Sequence, residues 1–343
     1  MSATSPLRLA LSGAALLHNW RLLDRLSGAA ACGAAVKADG YGLGALGVAR
    51  RLGEAGCRDL FVATWAEAAA LAECGLSVAV LHGVRAEDMA AAVAAPSRPV
   101  LNTPAQVARW KAAGGGACDV MVDTGMNRLG IAPADIAGGL LDGLAIETLH
   151  SHLACADEDS AMNERQRVAF AALAGRTAAR RMSLANSAGI ALGAGYAFDL
   201  TRPGIALYGG VPRPELAGLR QVATPEAQVL QRRRVPAGAT VGYNATWTAP
   251  AETEVAIIHL GYADGYLRAW SDRGVARAGG AALPVIGRVS MDLVALDVSA
   301  APGLGEGDWV ALDYALPAAA AATGLSQYEL LTGLGQRFER RWA

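Results

Sequence analysis

At 343 residues the chain is long enough for a barrel-sized domain and a smaller companion, because single cores stop growing near ~250–300 residues. Hydrophobic residues make up 53% and charged residues 18%, which fits a well-packed globular protein and excludes a disordered chain. The net charge of -1 excludes the electrostatic footprint of a nucleic-acid or anionic-membrane binder, and no apolar run approaches the ~20 residues of a membrane span.

The opening "MSATSPLRLALSGAALLHNW" has a short apolar centre and runs into an amphipathic helix carrying Leu16, Leu17, Trp20 and Leu23, so no signal peptide is expected. Short apolar runs then alternate with helical segments, several closed by glycine. The strand candidates are "GAAVKA", "DLFVAT", "SVAVLHG", "RPVLN", "CDVMVDT", "AIETLHSH", "MSLAN" and "FDLTR". Between them lie helix patterns such as "WAEAAALAECG", "TPAQVARWKAAGG" and "NERQRVAFAALAGRTAARR". Eight such units over residues 12–222 predict a (β/α)8 TIM-like barrel. From residue 223 to 343 the pattern changes to strand-like runs punctuated by Gly and Pro, with no amphipathic helix before "SQYELLTGLGQRFERRW". A C-terminal β-rich domain is expected there, joined by residues 1–11.

In a (β/α)8 barrel the active site gathers at the C-terminal ends of the strands, and the reactive side chains fall at those ends. Lys37 ends the first strand, Asp123 ends the fifth with Arg128 following, and His152 ends the sixth; Asn186 and Ser187 follow the seventh and Arg202 ends the eighth. Lysine is otherwise almost absent, since Lys37 and Lys111 are the only two beside 28 arginines. A lysine drawn out of water loses its charge more easily, and its neutral amine attacks carbonyls to form an imine. An imine with pyridoxal phosphate needs a phosphate cradle and a partner for the pyridine nitrogen; "NSAG" with "RPGIALYGG" supplies the first and Arg202 the second. Taken alone, these residues also have plainer readings: Lys37 as a surface charge, His152 as a core histidine, Tyr243 in "VGYNATW" as a strand aromatic. The glycines of "KADGYGLG" fit neither common phosphate-loop pattern. No Cys/His cluster accompanies His150 and His152, so no metal is expected. The five cysteines include no C-x-x-C pair and are expected as reduced thiols of a cytoplasmic protein.

The succession "AVKADGYGLGA", "VDTGMNRLGI", "SHLACADE", "NSAG", "RPGIALYGG", "VGYNATWTA", "LGYADGY" and "GRVSMD" closely resembles the bacterial alanine racemases, pyridoxal-phosphate enzymes of fold type III. The resemblance runs over nearly the whole chain. It implies that Lys37 holds pyridoxal 5'-phosphate and acts as one of two bases, the other being Tyr243 of the partner chain in a homodimer with shared active sites. It also implies that Tyr41, Ser187, the backbone of Gly204 and Ile205, and Tyr328 contact the phosphate, with Asn186 beside them. Arg128 would hold the substrate carboxylate, helped by the Met291 amide; Tyr262 would narrow the entrance, with Asp292 nearby. His152 would bridge Arg202 and Tyr243.

Arginine is the informative partner for the ring nitrogen. It donates a hydrogen bond but does not readily protonate the ring, so the electron sink is weaker and racemisation is favoured over transamination. The implied activity is interconversion of L- and D-alanine for peptidoglycan. The alternatives are an amino-acid racemase of wider specificity, for instance on serine, and a non-catalytic carrier of the cofactor. Two departures from the family stand out. Met121 occupies the place of a lysine that is often carbamylated and bonded to the arginine matching Arg128, and Asn244 stands where glycine is common.

Overall fold

The computed structural model describes residues 4–343. The chain divides into two compact units, Ala15–Arg220 and Gln221–Ala343, the latter joined by the N-terminal stretch through Ala14. That stretch carries β1 (Leu7–Leu11), whose period-2 burial sends Leu7, Leu9 and Leu11 inward. Helix Gly13–Ser27 follows, and its spacing of Leu16, Trp20 and Leu23 lays one apolar stripe against the core.

The first unit is the barrel. Its strands in chain order are β2 (Ala31–Cys32), β3 (Ala34–Ala35), β4 (Asp59–Val62), β5 (Ser77–Val80), β6 (Arg98–Leu101), β7 (Cys118–Met121), β8 (Ile146–His150), β9 (Arg181–Ser183) and β10 (Leu200–Thr201). From β3 to β9 each strand pairs in parallel with the next. The ring closes because β10 pairs in parallel with β2, while Asp199 N–H donates to Met182 O (3.0 Å) and Arg202 N–H to Ala185 O (2.8 Å) across the β9–β10 seam. The expected barrel is therefore present, with its first strand broken at Gly33. A Cβ there would lie 2.8 Å from both Asp59 O and the Phe61 ring, so only glycine lets the strand change partners. One correction concerns "NERQRVAFAALAGRTAARR": the helix stops at Ala171, and the rest is turn leading into β9.

Apolar residues pack outside the strands against the helices, as Val120, Leu149, Phe170 and Leu184 do. The barrel interior, by contrast, holds paired charges: Asp59 with Arg181 (2.8 Å) and Asp119 with Arg98 (3.2 Å). Buried ions of this kind persist only when paired and hydrogen-bonded.

The second unit is built from β1 with β11 (Ala223–Val235), β12 (Thr240–Val241), β13 (Trp247–Thr248), β14 (Thr253–His259), β15 (Val275–Ala278), β16 (Ala281–Ile286), β17 (Leu293–Asp297), β18 (Trp309–Leu312) and β19 (Glu339–Trp342). Eight of these form one sheet in the order β14-β17-β16-β15-β18-β11-β1-β19. A register shift between Val229 and Gln231 bends β11 so that its first half pairs with β1 and β18 and its second half with β14. The β-rich expectation holds, but the C-terminal helix read from "SQYELLTGLGQRFERRW" is shorter: only Gln327–Thr332 is helical, and Glu339–Trp342 becomes a strand parallel to β1. An alanine-rich helix at Leu316–Thr323 precedes it, which the sequence reading did not anticipate. Among the described residues no helix is long and apolar enough to cross a membrane.

Candidate active site

Lys37 stands two residues beyond β3, at the head of an unusual turn. Ala38, Asp39, Gly40 and Tyr41 all have positive φ, at 52°, 51°, 63° and 57°, so the chain makes one left-handed helical turn. For the three residues with a Cβ this costs about 1–2 kcal/mol each. Hydrogen bonds offset the cost: Gly40 N–H donates to Val36 O, Gly44 N–H to Asp39 O and Ala45 N–H to Asp39 Oδ1, at 2.8–2.9 Å. Glu67 adds an external anchor, accepting from Ala38 N–H (2.7 Å) with one oxygen and from Ala63 N–H (2.7 Å) with the other. Burial, and then the nearby Arg128, hold the Lys37 amine below the usual lysine range, with Glu67 opposing.

Arg202 follows β10, is only 6% exposed, and is gripped from several sides. Nη1 donates to His150 Nδ1 (3.3 Å) and to Ser183 Oγ, and Nη2 to the carbonyls of Ser151 (2.7 Å) and Leu184 (3.5 Å). Four of its five N–H bonds are committed within the barrel, leaving Nε–H. Burial pushes the guanidinium down to about 10, which still leaves it charged at neutral pH.

Ser187 begins a short helix capped by Asn186, whose side chain accepts from Gly189 N–H (2.8 Å). The Ser187 hydroxyl accepts from Gly204 N–H (2.9 Å) and Ala206 N–H (3.2 Å). Both lone pairs are used, so its O–H is left to donate to an outside acceptor. The Tyr41 hydroxyl closes over the same spot: a Cβ on Gly204 would come within 2.1 Å of it. Tyr41 packs on Tyr208 with ring centroids 4.8 Å apart, and Ile205 is buried beneath. Ser187, Tyr41, Gly204 and Ile205 thus form one small cradle.

Arg128 lies in the loop after β7. Asp123 folds that loop by accepting from the amides of Gly125 (2.8 Å) and Asn127 (3.1 Å). Among the described residues the exposed Arg128 guanidinium has no hydrogen-bonded partner, and Met121 is buried in β7, so the loop backbone rather than a side chain positions the arginine. Gln166 stitches this loop to the next, donating to Thr124 Oγ1 (3.4 Å) and His152 O (2.9 Å). Burial and the positive charges of Arg202, Arg128 and Lys37 push His152 down to about 3, so it is neutral. The histidine hydrogen-bonded to Arg202 is His150, not His152 as the sequence reading supposed.

In the second unit the candidates gather along one cleft of about 470 Å³, lined by Tyr243, Asn244, Tyr262, Arg268, Arg288, Met291 and Asp292. Tyr243 follows β12 and is 66% exposed; Asn244 has φ of 61°, a conformation asparagine tolerates better than other side chains after glycine. Tyr262 N–H donates to Ser290 O (3.0 Å) and Ala263 N–H to Met291 O (3.1 Å), clamping the "GYADGY" and "GRVSMD" loops together. Arg337 locks both, with Nε and Nη2 on fully buried Asp264 (2.6 and 2.7 Å) and Nη1 on Asp292 (2.7 Å). Tyr328 is half-exposed on its short helix. Sequence reasoning missed Arg268 and Arg288; the guanidinium of Arg268 lies 5.4 Å from the Tyr262 ring. Arg288 is the arginine of "GRVSMD" itself, and Arg268 lies two residues past "GYADGY".

Two family models together match nearly the whole chain. The alanine racemase N-terminal domain matches residues 11–212 and the alanine racemase C-terminal domain residues 222–342. The chain belongs to the alanine racemase family. It is 42% identical over 348 residues to the alanine racemase of Acidiphilium cryptum, with 97% of each chain covered. It is 42% identical over 353 residues to the catabolic alanine racemase of Mesorhizobium japonicum, covering 96% of this chain and 91% of that one. A crystal structure of alanine racemase from Bartonella henselae with covalently bound pyridoxal phosphate superposes at a TM-score of 0.89 and 32% identity, covering 99% of this chain and all of that one.

Proposed function

We propose that the chain interconverts L- and D-alanine with pyridoxal 5'-phosphate bound at Lys37, and that two bases on opposite faces of the substrate exchange its α proton. The observation that carries this reading is Lys37 itself, an amine made easier to deprotonate by burial and by Arg128, set at a barrel mouth. The cradle suits a phosphate, because Ser187 has only its O–H left to give and the Tyr41 hydroxyl stands beside it. Asn186, Ile205 and Tyr328 would complete the phosphate contacts, with Gly204 acting through the Ser187 hydroxyl that its N–H holds. When bound, the cofactor supplies an electron sink that acidifies the substrate's α C–H.

The chain's own groups do the rest. Arg202 would hold the ring nitrogen through its remaining Nε–H and keep its proton. Arg128, without a hydrogen-bonded partner among the described residues, binds the substrate carboxylate together with the Met291 amide, while Tyr262 and Asp292 line the entrance. The Lys37 amine takes or returns a proton on one face. Tyr243 does so on the other face, contributed by a second copy of the chain in a homodimer. Neutral His152 lies near the charges of Arg202, Arg128 and Lys37 and adds none of its own to them. D-Alanine for peptidoglycan, made in the cytoplasm, is the product of value.

The test is chiral chromatography of L-alanine incubated with the protein and added cofactor. Accumulation of D-alanine to near equality is the expected result; no conversion, or faster conversion of another amino acid, defeats the reading. Lys37→Ala should also abolish the absorbance band of the lysine-bound cofactor.

A further inference from the structure

Behind Arg202 lies a buried chain of polar groups that the reaction does not use directly. His150, at the end of β8, is fully buried; its Nε2 is 3.2 Å from Asp119 Oδ2 and its Nδ1 is 3.3 Å from Arg202 Nη1. Asp119, on the neighbouring β7, also accepts from Arg98 Nε (3.2 Å) and Thr148 N–H (3.1 Å) through its other oxygen. Phe61 packs edge-on against the imidazole with centroids 5.8 Å apart.

The donors and acceptors leave one arrangement. A guanidinium can only donate, so Nδ1 of His150 must be the bare nitrogen; the proton then sits on Nε2 and is donated to Asp119. A doubly protonated ring would set N–H against N–H at Arg202. Burial first, and then the charge of Arg202, push His150 down to about 4 against the pull of Asp119, in line with a neutral ring. The carboxylates inside the barrel are already taken, Asp59 by Arg181 and Asp119 by Arg98 and His150. Every group in hydrogen-bond contact with Arg202 is therefore a neutral acceptor, so its positive charge is not cancelled at contact distance.

We infer that His150 is a positioning residue for Arg202: fixed by Asp119 as the Nε2–H tautomer, it accepts from Nη1, turns the guanidinium so that Nε–H is the one donor free for a ring nitrogen, and keeps Asp119 one residue removed from it. The inference rests on the pyridoxal-phosphate reading above. It separates the orientation of Arg202, set by His150, from its charge, which a directly bound carboxylate would damp.

The first measurement is the 15N spectrum of the holoenzyme labelled at its five histidines, with His150 assigned by loss of its signals in a variant. A protonated Nε2 and an unprotonated Nδ1 between pH 6 and 8 are expected; the opposite tautomer or an imidazolium overturns the inference. This result does not depend on turnover, so a wild-type protein that fails to racemise alanine would sink the functional reading and leave the tautomer standing. The second measurement compares His150→Phe with His150→Gln, whose amide can accept from Arg202 and donate to Asp119. His150→Phe should lower kcat about 10-fold or more with KM nearly unchanged, shift the absorbance of the bound cofactor and raise the share of transamination. His150→Gln should recover most of kcat and the wild-type spectrum. Wild-type kcat and spectrum in His150→Phe, or equal losses in both variants, overturns the inference.

Discussion

In the barrel unit, Arg202 is 6% exposed with four N–H bonds committed, and Ser187 is 2% exposed with both lone pairs occupied. In the β-rich unit, Tyr243 is 66% exposed and Met291 53%, and what is held around them is main chain: the loop pairing at Ser290 and Met291, the amides of Gly287 and Val289 bound by Asp272 and Ser271, and the positive-φ residues Asn244 and Ala245 after Tyr243. The barrel spends its side chains fixing other side chains, as suits a permanently held group. The β-rich unit fixes backbone and leaves side chains bare, as suits residues offered to a surface outside the unit. A Met and a Tyr this exposed would otherwise be a liability on a solvated face.

The largest effect expected follows from that difference. If the two sets work together across a pair of chains, Lys37→Ala and Tyr243→Phe should each lose activity by about 10²-fold or more when pure. Unfolded, mixed and refolded in equal amounts, they should regain about one quarter of wild-type activity, because half the dimers are mixed and each mixed dimer has one intact site. No recovery on mixing would break the shared-site assignment.

Acid should expose the barrel next. His150 is held down at about 4 and His152 at about 3, against an ordinary value of 6.5, so the unfolded chain binds protons that the folded barrel refuses. A depressed histidine contributes its stability above the unfolded value and loses it as pH falls. Between pH 6.5 and about 4 each histidine should therefore remove about 1.4 kcal/mol per pH unit. Thermal melts at pH 7, 6 and 5 should fall steadily, and His150→Gln should flatten the slope by about half.

Arg337 is the ionic side-chain lock on these loops of the β-rich unit, and breaking it should matter less. Arg337→Ala strands the carboxylate of Asp264, which is fully buried and otherwise accepts from Gly261 N–H (3.0 Å). Losing a buried ion's partner costs about 3–5 kcal/mol; with Arg337 itself 41% exposed, water replaces part of it, and about 2 kcal/mol is expected. A denaturation curve measures this. KM for alanine should rise more than kcat falls, because the loops released carry Tyr262 and Met291. Arg337→Lys should rescue only partly, since a single ammonium cannot reproduce the forked contact.

Much of the barrel site was legible because strand ends are marked by short apolar runs, and Lys37, Arg128, Ser187 and Arg202 stand just past them. The supporting residues were not. Glu67 reaches Ala38 from a different βα unit, and His150 looks in sequence like any polar residue beside the expected His152. Such pairings arise only when the ring closes. The left-handed turn was hidden too, since Ala38 and Tyr41 carry no signal for positive φ and Asp39 only a weak one. The C-terminal "ERRW" read as helix because its partner strand, β1, lies at the other end of the chain.

The smallest effect tests how backbone alone places Tyr243. Asn244 sits at φ 61°, ψ 17°, where asparagine is tolerated and glycine is free of strain. Asn244→Gly should leave stability within about 0.5 kcal/mol, relief of strain being offset by the greater entropy of the unfolded chain. Asn244→Ala should cost about 1 kcal/mol, because a Cβ without a polar group meets the left-handed penalty in full. If the turn positions the tyrosine, kcat should fall in the alanine variant and hold in the glycine variant, while KM stays put in both. Equal kcat in the two would mean that Tyr243 is placed by contacts beyond its own unit, and the main-chain account of the β-rich unit would give way.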